Sequence, residues 1–326
     1  MPSRPRLALV LAATLASSAA GEATVGGWVD QGEARVRLVS SLAEAAPGAE
    51  AGLGVEFVLA PGWHVYWKNA GDAGYAPRLR VESGLAPGAT LLFPAPERFE
   101  LPGYLVAFGY EHEVVYPVAA RLDPGVTSGA AVIAARLDYL VCAETCIPHE
   151  AGLELSLPLG VERRDAGTAP ALERWRARLP VASGAPGAPT AHARLVRGEG
   201  SALALELALV DPGRAAAPDL FFEVDETFAL GRPVFRAGAE GPRFRVPLAP
   251  LDATKPLPER LRFAWTATGF ERAGERAAYE GVVELAPPPA PRTGRMLGLV
   301  ALAALLVTLT AAGLARRARR TPIANP

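Results

Sequence analysis

Cys142 and Cys146 are the only cysteines in the 326-residue chain, and they lie four apart in the run Leu140-Val-Cys-Ala-Glu-Thr-Cys-Ile-Pro148. A pair this close can cycle between dithiol and disulfide. It can also act as a small structural staple. With His149 it could hold a soft metal ion, His64 or His112 adding a further ligand. A bridge needs the two Cα atoms within about 7 Å, whereas an extended strand holds residues four apart near ~13 Å. The segment must therefore turn, and a strand ending at Val141 followed by a tight loop would do it. As a staple, a five-residue ring removes only about 2 kcal/mol of unfolded-state freedom, against about 4.7 for a hundred-residue loop. Spacing alone leaves the redox and structural readings open. Against a metal stand the lack of a second cysteine pair and the position of both methionines, Met1 and Met296, outside the central body. No cofactor is expected. The chain has no HExxH, GxSxG, Walker lysine loop or Rossmann glycine set, which argues against those hydrolase and nucleotide-binding classes.

The elements that position the pair come next, starting with the ends of the chain. Arg4 and Arg6 precede the apolar stretch Leu7–Leu15, and Ser18-Ala19-Ala20 offers small residues for cleavage. This pattern predicts a signal peptide over 1–20. Met296 to Ala315 carries no charge, is flanked by Arg292 and Arg295, and is followed by Arg316, Arg317, Arg319 and Arg320. It predicts one transmembrane helix over 296–315, with the basic tail 316–326 in the cytoplasm. The expected location is thus the inner membrane, single-pass, with the bulk of the chain in the periplasm. Those ends hold eight of the 33 basic residues and none of the 34 acidic ones. The acidic balance of what remains argues against nucleic-acid binding.

Residues 21–286 are too long for one ordinary sandwich and suit two domains. Period-two alternation at Val36, Leu38 and Ser40, at Val55, Phe57 and Leu59, and at Leu153, Leu155 and Leu157 reads as strands. Leu203, Leu205, Leu207 and Leu209 continue the pattern in a second block. Between the blocks, Thr168 as cap, Pro170 in the first turn and Leu172, Trp175 and Leu179 at helical spacing predict a short helix closed by Pro180. The Gly- and Pro-rich run from Val181 to Thr190 reads as linker. The expected fold is all-β, two immunoglobulin-like β-sandwich domains in tandem with a signal peptide and one C-terminal transmembrane helix. The boundaries are 21–160 for the first sandwich, 161–190 for helix and linker, 191–286 for the second sandwich and 287–295 for a Pro-rich tether.

Four ordered motifs add a resemblance. Pro61-Gly-Trp-His-Val-Tyr-Trp-Lys-Asn-Ala-Gly-Asp-Ala-Gly74, Phe93-Pro-Ala-Pro-Glu-Arg-Phe99, Gly109-Tyr-Glu111 and the cysteine run occur in that order. Over Val36 to Leu159 the chain resembles the N-terminal periplasmic domain of DsbD-type thiol:disulfide interchange proteins, and most closely the ScsB branch linked to copper tolerance. The resemblance implies an immunoglobulin-like domain whose cysteines, here Cys142 and Cys146, take electrons from a multi-helix membrane domain and pass them to thioredoxin-like periplasmic partners. Cys142 is expected to form the mixed disulfide with electron acceptors. A cap loop over the cysteines would correspond to Glu97–Tyr104, with Phe99 as the shielding ring. His64 or Tyr66 would assist proton transfer, while Glu97, Glu100 and Glu144 would raise a thiol pKa by repulsion. The Gly71–Gly74 run reads as a turn. The family's usual chain continues into several membrane helices and a thioredoxin-like domain, whereas this sequence holds one apolar segment. A separate membrane thiol reductase is therefore expected as electron donor. The remaining expectations are a non-enzymatic binding module with a structural disulfide and a copper-tolerance metal-handling protein.

Overall fold

The computed structural model describes residues 24–286, apart from positions 102, 104, 198–202, 224–227, 239–240, 253 and 255–257. The expected signal peptide, tether, transmembrane helix and basic tail lie outside the described residues, as does Tyr104 at the end of the expected cap. Among the described residues, no helix is long and apolar enough to cross a membrane.

The described residues are all-β but for one short helix. The N-terminal part pairs two sheets. One runs Val29–Asp30, Ala34–Ser40, Leu53–Leu59, Glu113–Ala119, Thr90–Leu91 in spatial order. The other runs Cys146–Pro158, Ala130–Cys142, His64–Gly71, Leu105–Glu111, Glu97–Leu101, with Arg78–Ser83 also pairing with Ala130–Cys142. Alternate residues of each strand turn inward, as the period-two pattern requires. Val36, Leu38, Val55, Phe57, Val65, Trp67, Tyr139, Val141, Leu153, Leu155 and Leu157 meet in one core. Phe57 sits near its centre, edge-on to Tyr116 and Tyr139 with ring centroids 5.5 and 5.1 Å away.

The C-terminal part repeats the scheme around its own core. Leu203, Leu205, Leu207 and Leu209 pack there with Phe244, Phe263, Trp265 and Phe270. Its sheets run Val181–Ala182, Glu275–Leu285, Leu261–Arg272, Arg214–Phe222 and Thr190–Arg197, Leu203–Val210, Arg243–Pro250, Phe228–Leu230.

The segment joining the two parts differs in detail from its sequence reading. The helix spans Ala169–Arg176, ending four residues before Pro180, and buries Leu172 and Trp175. Thr168 makes no side-chain cap. Its hydroxyl donates to the backbone of Ser40, and the Asp165 carboxylate accepts from the amides of Gly167 and Thr168. The end of the helix is thus tied to the first sandwich. Val181–Ala182, within the stretch read as linker, forms a parallel bridge to Tyr279 and Glu280.

The two parts share a packed contact. Phe221 belongs to the second part by sequence, yet it packs in the first core, edge-on to Phe108 at 5.0 Å and Trp67 at 5.9 Å. Polar links surround it. Lys68 reaches Glu223 and Glu280, each at 3.1 Å, and the Asn69 amide donates to the Phe222 carbonyl.

Candidate redox site

The long strands Ala130–Cys142 and Cys146–Pro158 form a hairpin whose last register pair is Cys142 opposite Cys146. Residues 143–145 make the turn, closed by the Ala143 amide donating to the Thr145 carbonyl at 3.1 Å. The turn brings the two Cα atoms to 4.1 Å, and the sulfurs are bonded. The strand runs one residue further than Val141, so Cys142 itself belongs to the ladder.

Side-chain parity decides what surrounds the disulfide. Tyr139 and Val141 point into the main core, so Leu140 and Cys142 point to the other face of the six-stranded sheet. That outer face carries its own small apolar cluster of Tyr66, Ala70, Ala107, Leu140 and Cys142, with Tyr75, Phe99 and Leu101 against it. The neighbouring strand puts His64 opposite Cys142 in register, and Tyr66 follows two residues on. One sheet face thereby gathers Cys142, Cys146, His64, Tyr66 and Phe99.

The two sulfurs differ in access. Cys142 is 1% exposed, whereas Cys146 is exposed. An attacking thiolate must reach a sulfur along the S–S axis, so the accessible atom is met first. The resemblance expects the mixed disulfide at Cys142, whereas Cys146 is the sulfur open to solvent. Cys142 lies instead against a phenol. The Tyr66 hydroxyl donates to its sulfur at 2.8 Å and lies 3.8 Å from Cys146 Sγ. Burial pushes the Tyr66 phenol above its ordinary value of 10, which keeps the proton on the oxygen and the group a donor. Such a donor stabilises a departing thiolate more than a neutral disulfide sulfur. The Tyr66 backbone is fixed in turn, since its carbonyl accepts from the Tyr116 hydroxyl at 2.7 Å.

Phe99, the ring expected to shield the site, lies on this same face. It is half-buried, packs against the cluster containing Cys142, and stacks on the His64 ring with centroids 5.3 Å apart and planes 24° apart. His64 is 3% exposed and meets Tyr66 edge-on at 5.2 Å. Burial holds its pKa below 6.5, so the ring is neutral. Its Nε2 is buried without a hydrogen-bond partner. His64 thus acts here as an apolar-packed ring beneath the cover.

The acidic residues expected near the sulfurs divide differently. Glu144 sits exposed in the turn between the cysteines. Glu97 is exposed and shares a cavity wall with Tyr110 and Arg178. Glu100 is drawn away to Arg232 of the second part at 2.8 Å. The metal alternative of Cys142, Cys146 and His149 does not assemble. His149 is paired with Tyr139 on the inward-facing side, ring centroids 5.4 Å apart, and its Nε2 lies 3.4 Å from Glu33 without hydrogen-bond geometry. Among the described residues, no three potential ligands gather into a metal site.

Two glycines of the sequence motifs have steric reasons. A Cβ on Gly74 would lie 2.3 Å from the Tyr66 ring, at a backbone φ of +105°. A Cβ on Gly109 would lie 2.0 Å from the Val65 carbonyl. The Gly71–Gly74 run, read as a turn, also lays backbone across Tyr66, and Asp72 accepts from the Val106 amide at 2.8 Å. The residue that the sequence reading missed is Arg98. It adjoins the cover residue on the strand Glu97–Leu101, and its guanidinium makes two bonds to the Asp219 carboxylate of the second part. A charged residue in a short motif gives no sign of a partner 121 positions away.

Fold and site together define a β-sandwich that presents a disulfide at the end of a hairpin, with one cysteine buried and the other exposed. Residues 36–158 match the family described as thiol:disulfide interchange protein DsbD, N-terminal. This region therefore carries a DsbD N-terminal-type domain, and its Cys142–Cys146 bond supports a thiol:disulfide interchange module. Among solved structures, the chain is similar in fold to the N-terminal periplasmic domain of ScsB from Proteus mirabilis. The TM-score is 0.62 at 21% identity, covering 82% of this chain and all of that one. No curated protein sequence matches.

Proposed function

We propose that this protein is a membrane-tethered, periplasmic thiol:disulfide exchange module, built as two immunoglobulin-like sandwiches between a cleaved leader and a C-terminal anchor. A reduced partner supplies a thiolate that attacks Cys146 Sγ. The S–S bond breaks, a partner–Cys146 bond forms, and Cys142 leaves as a thiolate that takes up a proton. The partner's second thiolate then attacks its own sulfur in the mixed disulfide and releases Cys146, which is also protonated. The pair has gained two electrons and two protons, and the partner dithiol has become a disulfide. The same steps in reverse reduce a client. The donor is a multi-helix membrane thiol reductase carried on a separate chain, and the clients are thioredoxin-like periplasmic proteins.

The observation that carries this reading is the asymmetry of the two sulfurs. One is exposed for attack, and the other is buried against a tyrosine hydroxyl that stabilises it on leaving. A staple needs neither feature. The test is the reduction potential of the pair, by equilibration with dithiothreitol and thiol trapping. A value of about −120 to −270 mV, the span of known exchange proteins, is the expected result. A value well below about −300 mV would make the bond structural. The Cys142→Ser variant, which leaves Cys146 free, should then accumulate a mixed disulfide with a thioredoxin-like partner.

A further inference from the structure

The Phe99 ring beside Cys142 is not held by the first sandwich alone. Phe99 lies on Glu97–Leu101, the outermost strand of the six-stranded sheet, bonded on one edge only, to Leu105–Glu111. Cavities flank this strand. One of about 940 Å³ takes Arg98, Glu100 and Leu101 into its wall and has Leu220–Glu223 and Phe228–Pro233 on the far side. Another of about 320 Å³ has Glu97 on one side and Thr268–Glu271 on the other. An edge strand beside open space has room to move.

Arg98 closes that freedom. Its Nε and Nη2 bond to the two Asp219 carboxylate oxygens at 2.8 and 3.0 Å, and Nη2 also donates to the Leu220 carbonyl at 3.1 Å. The guanidinium lies 4.8 Å from the Phe108 ring centre and 5.1 Å from that of Phe221. The Arg98 side chain is 11% exposed, so this pair is screened far less than a surface ion pair. A bidentate arginine sandwiched by rings is among the more directional side-chain contacts. It is also one residue from Phe99, whose ring turns to the opposite face of the same strand.

We propose that Arg98 is a positioning residue, and that the second sandwich, through Asp219 and Leu220, uses it to set how often Phe99 uncovers Cys142, the sulfur that leaves and returns during exchange. The second sandwich is then a control element of the redox site rather than a spacer. This rests on the exchange reading for its purpose, but its test does not.

The experiment is the rate at which iodoacetamide alkylates Cys142, the sulfur behind Phe99, in the full-length Cys146→Ser protein. That small reagent reads the cover whether or not any protein partner exists, so a structural disulfide would sink the exchange reading and leave this one standing. Arg98→Ala and Asp219→Asn should each speed alkylation roughly tenfold in that background, and the two together no more than either alone. With both cysteines present the equilibrium reduction potential should stay where it is, because both redox states lose the same clamp. Phe99→Ala should reach at least the same rate, and Asp219→Asn should add nothing in that background. The exchanged pair Arg98→Asp with Asp219→Arg should slow alkylation again, which separates a lost clamp from a damaged fold. Unchanged rates in the single variants would overturn the proposal, as would an Asp219 effect that persists without Phe99.

Discussion

The two faces of the six-stranded sheet are both apolar, yet they do different work. The inner face joins a large continuous core fed by both sheets, the short helix and Phe221 from the second part. The outer face carries five buried residues, one of them half of the disulfide, and is closed by Phe99 and a stacked histidine. A contact made on the inner face is supported on every side and is expensive to break. A contact on the outer face is one ring deep and can open at modest cost. The same strands serve both purposes because consecutive side chains alternate: Val141 is core, Cys142 is chemistry.

The sharpest way to break this comparison is to truncate one aromatic on each face. Phe57 is fully buried between Tyr116 and Tyr139. Phe57→Ala should lower unfolding stability by about 3–5 kcal/mol in urea titration. Phe99→Ala should cost about 1 kcal/mol, since the ring is already half in water, while making the disulfide easier to reach. Equal losses at the two sites would mean that the outer cluster is core like any other.

A second contrast lies within the disulfide itself. With Cys142→Ser the remaining Cys146 should react with iodoacetamide about a hundredfold faster than Cys142 does in the Cys146→Ser protein. Burial of the one and exposure of the other set the direction. Similar rates would show that the cover opens too readily for burial to matter, and would remove the assignment of Cys146 as the attacked sulfur.

Much of this was legible in the residues. Alternation located the strands of both cores, because a half-buried strand must repeat every two residues whatever its neighbours are. The spacing of the cysteines required a turn, and the hairpin supplies it. What the sequence could not carry was anything set by long-range pairing. Arg98 meets Asp219 only because two sandwiches dock, and no local pattern encodes docking. The difference in burial between the two sulfurs was hidden for a similar reason, since which cysteine is buried depends on Tyr66 and Phe99 arriving from two other strands. Thr168 does stand at the N-cap position, but its side chain makes no cap: Pro170 offers no amide there, and the Thr168 hydroxyl is used to tie the helix to Ser40.

Tyr66→Phe sharpens the outer-face chemistry while leaving its packing. It removes the donor 2.8 Å from Cys142 Sγ and nothing else of size. A hydrogen bond to a charged leaving group is worth about 1.5 kcal/mol or more, so attack on Cys146 by dithiothreitol should slow roughly tenfold at pH 7 with little change in stability. A variant that keeps the parent rate would show that Tyr66 packs against the sulfur without helping it leave.

The smallest expected effect concerns His64, the imidazole that the outer face buries. Its pKa is depressed by burial, so the folded protein holds it neutral while the unfolded chain protonates it near 6.5. Above that value both states carry the neutral ring, and His64 contributes no pH dependence. As pH falls below it, the unfolded state gains a proton that the folded state refuses, and stability drops until the folded pKa is passed. Asp165, held low chiefly by the Thr168 amide, loses its contribution at more acidic pH and does so equally in parent and variant. His64→Phe should therefore abolish part of the stability lost between pH 7 and pH 5, by less than the loss seen for Phe57→Ala, while keeping an aromatic ring under Phe99. If parent and His64→Phe lose the same stability over that interval, the histidine is not held neutral, and the outer face is wetter than the inner one by more than its single covering ring implies.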